Sequence, residues 1–298
     1  LGDVYKRQVY SGLPTVLKEN GYYNLFFMTH EGQYDNMNAF FRTNGYDEVF
    51  SQEDYPADKV VNSFGVQDDF LYDYAIPVLN QRAATGQPFF ATLLSISNHP
   101  PYVIPPFFHP KTSEPEMQIV EYADWALRQF FEEARKQPWF DNTIFVLEGD
   151  HGKLVGDAEC ELPESYNHIP LMIYSSRIQP EEKTAFGGQV DIQPTILGLL
   201  NIDYLQNNFG VDLLKEERPC MFYTADNMVV GRNDTLLYLY NYETQQELTY
   251  DIGNGKLNAV PMDDSFLPLK EYSFSMLQSA EFLVKHGKTL NSIPFTQQ

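Results

Sequence analysis

Asp150 and His151 stand between Gly149 and Gly152, directly after the apolar run at 143–147. A carboxylate oxygen beside an imidazole nitrogen is a donor pair for a divalent cation such as zinc or manganese. The glycines let the backbone turn sharply enough to aim both groups to one side. A turn aspartate beside an incidental histidine is the plainer reading, and the dipeptide alone does not choose between them.

Three further segments carry candidate chemistry. Ser97-Asn98-His99-Pro100-Pro101 closes the apolar run at 88–97, and His99 there would face the same crevice as Asp150 or lie in an exposed loop. Tyr166-Asn167-His168-Ile169-Pro170 opens the run at 169–175, where a lone histidine ordinarily packs or hydrogen-bonds. His30-Glu31-Gly32-Gln33-Tyr34-Asp35-Asn36 joins the run at 23–29 to a helix pattern. Gln33, Asp35 and Asn36 would offer polar groups to an anion near that helix start, unless Asp35 or Asn36 simply caps it. His30, His99 and the Asp150-His151 pair each follow an apolar strand, whereas His109 and His286 lack that context. Ligands gather at the carboxyl ends of strands in open α/β sheets. The residues themselves therefore point to an α/β metal-dependent hydrolase or transferase.

The elements that must position these groups alternate short apolar runs with longer amphipathic ones, the pattern of α/β layering. The runs at 23–29, 88–97, 143–147 and 169–175 read as central strands covered on both faces. Helix patterns span 35–44, 68–82 and 114–137. The last has Ile119, Tyr122, Ala123, Ala126, Phe130 and Ala134 on one stripe and Ser113 as its N-cap. A short helix at 191–200 accommodates Pro194 in its first turn. From residue 219 the pattern shifts to short strands at 220–224, 236–241 and 247–250, with a turn at 231–234. A terminal helix at 264–287 then packs back on that antiparallel sheet. Residues 1–8 read as a polar leader outside the fold, 9–205 as an α/β core, and 206–298 as a small α+β subdomain.

A formal charge of −21 over 298 residues excludes non-specific nucleic-acid binding, which needs clustered Lys and Arg to displace counterions. No run approaches the roughly 20 apolar residues of a spanning helix. The two cysteines, Cys160 and Cys220, have no ligand spacing, so they read as packed thiols, with a disulfide as the alternative.

An ordered set of motifs adds specificity. Gly21-Tyr22 with Phe26-Phe27, Tyr34-Asp35-Asn36, Asn44-Gly45-Tyr46-Asp47, Pro88-Phe89-Phe90 and Ser97-Asn98-His99-Pro100 come first. Phe140-Asp141-Asn142-Thr143, Gly149-Asp150-His151-Gly152, His168-Ile169-Pro170-Leu171 and the segment from Gly187-Gly188-Gln189 to Pro194-Thr195 follow. Over residues 21–202 this succession resembles the lipoteichoic acid synthase-like branch of the sulfatase and alkaline phosphatase superfamily. The resemblance implies a three-layer mixed sheet with helices on both faces, followed by the small antiparallel sheet and terminal helix. It implies one divalent cation, manganese or zinc with calcium or magnesium as alternatives, held by Asp150 and His151 together with a Glu and a nucleophilic Thr or Ser. Those two residues lie on earlier strands in the family and have no counterpart here, so a truncated, inactive piece is the expectation.

His99 matches a histidine near the substrate head group, where it would stabilise the anion or protonate the leaving oxygen. His30, Gln33, Asp35 and Asn36 fall in a substrate-binding loop. His168 would join His99 in binding substrate or a second zinc. The implied substrates are phosphate- or sulfate-ester lipids or glycans, the implied place is extracytoplasmic, and membrane attachment would come through an upstream segment. The competing reading is a non-catalytic binding module for anionic glycans or lipids.

Overall fold

The structure, a computed structural model, describes residues 10–154 and 157–289; the leader expected at 1–8 lies outside them. The chain divides into two compact units, Leu1–Thr143 and Ile144–Gln298.

The first unit holds α1 (Leu13–Glu19), β1 (Tyr23–Met28), α2 (Met37–Thr43), β2 (Glu48–Phe50), α3 (Asp68–Ala83), β3 (Phe89–Leu94) and α4 (Pro115–Ala134). The strands lie in the order β2-β1-β3, all parallel, with Tyr23 opposite Phe89 and Leu25 opposite Glu48. The central strand β1 is buried almost end to end, as both-face cover requires. Side-chain alternation sends Phe26 and Met28 to one face, where Met37 and Phe41 of α2 meet them. The rings of Phe26 and Phe41 stack at 3.8 Å. Phe27, on the other face, stacks on Phe50 at 4.8 Å, and Phe50 meets Tyr74 of α3 at 5.8 Å.

In α4 the expected stripe is buried at Ile119, Tyr122, Ala126, Phe130 and Ala134. The Tyr122 hydroxyl donates to Asp69 Oδ1 at 2.5 Å and ties α4 to α3. Ser113 does not cap α4: the N-cap position is Glu114, without a side-chain capping bond. Pro115 starts the helix instead, its fixed φ suiting the first turn.

The second unit holds β4 (Phe145–Glu148), β5 (Leu171–Tyr174), α5 (Ile192–Leu200), β6 (Met221–Ala225), β7 (Met228–Arg232), β8 (Leu236–Asn241), β9 (Gln246–Asp251), β10 (Asn258–Ala259) and α6 (Leu267–Lys285). Strands β4 and β5 pair antiparallel, Phe145 opposite Tyr174. Both form where the apolar runs placed them, but Met172 is 56% exposed and the pair is not covered on two faces. Among the described residues of this unit no helix lies closely along them.

The remaining strands form one antiparallel sheet, β10-β9-β8-β7-β6, and α6 packs on it as expected. The segment expected to turn at 231–234 is instead partly β7, which runs through Gly231. A Cβ on Gly231 would lie 2.5 Å from Ser273 Oγ and 3.0 Å from the Leu269 carbonyl, both on α6. This glycine therefore marks a close helix approach, not a turn. The same sheet separates the cysteines. Cys160 packs with Val230, Leu239 and Tyr250 on one face, Cys220 with Tyr238 and Phe266 on the other. Both thiols are free, and burial raises the pKa of each.

Candidate metal and substrate site

In the first unit His30 and His99 follow adjacent parallel strands, β1 and β3. His30 is 4% exposed, and its Nδ1 lies 3.0 Å from the Glu31 carbonyl. His99 makes the same contact to the Pro100 carbonyl at 2.7 Å. A carbonyl only accepts, so Nδ1 is the donor in both.

A loop between β2 and α3 links these histidines. Gly65 has φ +88°, and a Cβ there would fall 1.7 Å from the Thr29 carbonyl. Glycine is thus required for the loop to cross the end of β1. Phe64 beside it brings its ring to 4.2 Å from the His99 ring. The backbone after β3 is held by Asp68 at the start of α3. Its Oδ1 accepts from Ile96 N at 2.9 Å and Ser97 N at 3.0 Å, while Ser97 Oγ accepts from Asp68 N at 3.1 Å. Burial pushes the Asp68 carboxyl upward against the lowering effect of those bonds. A small cleft opens here, lined by Asn62, Phe64, Gln67, Ser97 and His99 among others.

The expected binding loop is shaped by backbone. Asp35 and Asn36 are consecutive left-handed residues, φ 51° and 59°, at a cost on the order of 1 kcal/mol each. Asn36 occupies the N-cap position of α2 with no side-chain capping bond, and Gln33 and Asp35 are exposed. Asn36 therefore does not cap α2 through its side chain. Sequence reasoning did not single out Glu53, whose carboxylate accepts from Gly32 N at 3.1 and 3.3 Å. Burial opposes its charge. Hydrogen bonds from Ser51, its own N–H and Gly32, with His30 nearby, nevertheless hold its pKa below the usual range. Nothing in local spacing announces a contact made 21 residues away.

In the second unit Asp150 and His151 emerge just beyond β4, 71% and 70% exposed. His151 Nδ1 donates to the Gly152 carbonyl at 2.7 Å, leaving Nε2 free 3.7 Å from Asp150 Oδ2. Two donors on one tetrahedral cation stand about 3.4 Å apart, so the pair fits two positions of a metal site. Among the described residues no group of three or more His, Cys, Asp or Glu side chains could hold a metal. The turn rests on the 3-10 turn Glu164–Tyr166: Gly152 N donates to Tyr166 O at 2.9 Å, and a Cβ on Gly152 would meet Ser165 O at 1.9 Å. His168, just beyond, is exposed. Loss of hydration, then the Asp150 carboxylate, raise the pKa of Glu148.

The motif at 187–195 supplies support rather than donors. Asp191, fully buried, accepts from Gly188 N, Val211 N and the Arg218 guanidinium at 2.5–3.0 Å. Leu213 N donates to Thr195 Oγ1 at 3.0 Å.

Parallel α/β strands with histidines beyond their carboxyl ends in the first unit, and a glycine-flanked Asp-His turn in the second, are the features to set beside known proteins. The sulfatase family's profile matches residues 2–202, more than half of the chain, and the chain belongs to that family. It is 26% identical over 270 residues to lipoteichoic acid synthase 1 of Bacillus subtilis, covering 83% of this chain and 40% of that protein. Lipoteichoic acid synthase of Staphylococcus aureus is 24% identical over 70% of this chain and 35% of its own length. The chain thus spans well under half of these curated relatives. A solved alkaline phosphatase superfamily protein from Vibrio parahaemolyticus superposes with a TM-score of 0.81 at 27% identity, over 93% of this chain and 69% of that one. The lipoteichoic acid synthase LtaP of Listeria monocytogenes superposes at 0.78 with 22% identity, over 95% and 75%, and shares the fold. The fold class is that of the alkaline phosphatase superfamily: mixed sheets with helices, then an antiparallel sheet with a terminal helix.

Proposed function

We propose that this chain carries part of a metal-dependent enzyme that hydrolyses or transfers phosphate or sulfate esters, and that Asp150 and His151 are two ligands of its divalent cation. The observation that supports this most is the geometry of His151: Nδ1 lies against the Gly152 carbonyl, so Nε2 is the ring nitrogen turned toward Asp150, 3.7 Å from its Oδ2. Manganese or zinc suits an oxygen-nitrogen pair, with calcium or magnesium the alternatives. When bound, such a cation supplies Lewis-acid polarisation of the ester and of the attacking hydroxyl.

The chain's own residues then divide the remaining work. His99 stabilises the anionic group or hands a proton to the leaving oxygen, roles for which its Nε2 carries the proton. His30, Gln33, Asp35 and Asn36 contribute to binding the substrate head group in the first unit, and His168 to binding substrate or a second zinc in the second. Residues 9–205 form the catalytic core and 206–298 an accessory subdomain in this reading. The substrate is an ester-bearing lipid or glycan, and the setting extracytoplasmic. Among the described residues no helix is long and apolar enough to cross a membrane.

With two donors among the described residues, the chain is expected to bind the cation weakly and to turn over no aryl ester. Two assays test this. Appreciable manganese-dependent hydrolysis of p-nitrophenyl phosphate, bis-p-nitrophenyl phosphate or p-nitrophenyl sulfate by the chain itself would overturn the two-donor limit. In a protein carrying the whole family domain, Asp150→Ala should cut such turnover about a hundredfold or more; unchanged turnover would remove Asp150 from the metal site.

A further inference from the structure

We infer that Gln189 is a positioning residue for the Asp150-His151 pair, acting through the backbone on either side of Asp150. The inference rests on the metal-site reading only for its consequence, not for its geometry. Gln189 Nε2 lies 3.2 Å from the Gly149 carbonyl and 2.9 Å from the Asp150 carbonyl. A side-chain amide nitrogen carries two hydrogens, one for each acceptor. These carbonyls belong to the two peptide planes that meet at the Asp150 Cα. Holding both planes fixes the direction in which the Asp150 side chain leaves the backbone and sets where His151 begins.

The turn needs such a brace. Gly149 N and Gly152 N hold its two ends to the Pro170 and Tyr166 carbonyls, but both donor side chains between them are about 70% exposed, so packing does not orient them. Gln189 itself stands on a fixed base. Two residues on, Asp191 is fully buried and bound by Gly188 N, Val211 N and Arg218. Arg218 in turn donates to the Phe209 carbonyl at 2.5 Å. A buried ion pair thus anchors the 3-10 turn Gln189–Asp191, and the Gln189 amide carries that rigidity to the metal-facing loop. Partners that orient metal ligands typically alter metal affinity ten- to a hundredfold.

Gln189→Met, close in size and without a donor, separates the hydrogen bonds from packing. Amide exchange at Gly149–Gly152 reads the brace without metal, and Mn²⁺ broadening of the His151 ring resonances reads its consequence. Gln189→Met should speed exchange at those amides at least tenfold and weaken Mn²⁺ binding at His151 about tenfold. The melting temperature should stay within about 2 °C, and Gln189→Lys, which keeps a donor, should recover part of both signals. Wild-type exchange in Gln189→Met would overturn the inference. Faster exchange with unchanged Mn²⁺ broadening would overturn its link to the metal. Absence of Mn²⁺ broadening in the wild-type chain would overturn the metal-site reading, while the exchange result still decides the brace.

Discussion

Gly152 has no room for a side chain, since its Cβ would lie 1.9 Å from the Ser165 carbonyl. Gly152→Ala should therefore dislodge the Asp150-His151 turn from the Glu164–Tyr166 turn, visible as shifted amide resonances at 150–152 and 164–166; unshifted resonances would show that the backbone yields freely. Arg218 presents the opposite case, a side chain that cannot be removed. Arg218→Met strands the Asp191 carboxylate and should cost roughly 3–5 kcal/mol in thermal or urea unfolding. Adding Asp191→Asn should return part of that loss, because the uncompensated charge disappears.

Glu53 gives a pH test. Its folded pKa lies below the unfolded value, so its contribution to stability is complete above about pH 4.3 and is lost as pH falls through the lower folded value. The Gly32 amide shift should follow that titration with a midpoint below that of an unperturbed glutamate. At this scale the position of His30, His99 and Asp150-His151 just beyond strands was legible in sequence, because polar residues after apolar runs are a local pattern. Glu53, Asp68 as the holder of the Ile96 and Ser97 amides, and Gln189 as a brace were not. Each acts through a contact made 21 to 40 residues away.

Among the elements, β7 and its helix show where local reading stops. Gly231 carries a turn signal in sequence but is a strand position because α6 comes too close for a Cβ. Gly231→Ala should destabilise the C-terminal sheet by about 1–3 kcal/mol in thermal unfolding. Ser273→Ala in the same chain should recover part of this by removing the Oγ that the new methyl meets, with Leu269 O still in its way. Two independent losses that simply add would argue against the close approach. The strand β2 was illegible for a different reason. Its three residues are too few to show alternation, and they become a strand only by pairing with β1. Periodicity placed α3 and α4 within a few residues because their buried stripes extend over several turns; α6 was placed as closely although only Leu269 and Ser273 of it are buried.

For the whole molecule, single motifs were weak and their order was strong. Asp150-His151 alone left metal and turn equally open, yet the succession of motifs from Gly21 to Thr195 matched the family profile over residues 2–202. Burial of the helix stripes and the parallel β1–β3 pair explains why that fold can be read from sequence.

The pair itself is open to direct test. Mn²⁺ titrated into the isotope-labelled chain should broaden the His151 ring resonances before those of His109 and His286, and Asp150→Ala should abolish that selectivity. Equal broadening of all three histidines, or selectivity that survives Asp150→Ala, would contradict the assignment of Asp150 and His151 as a metal-binding pair.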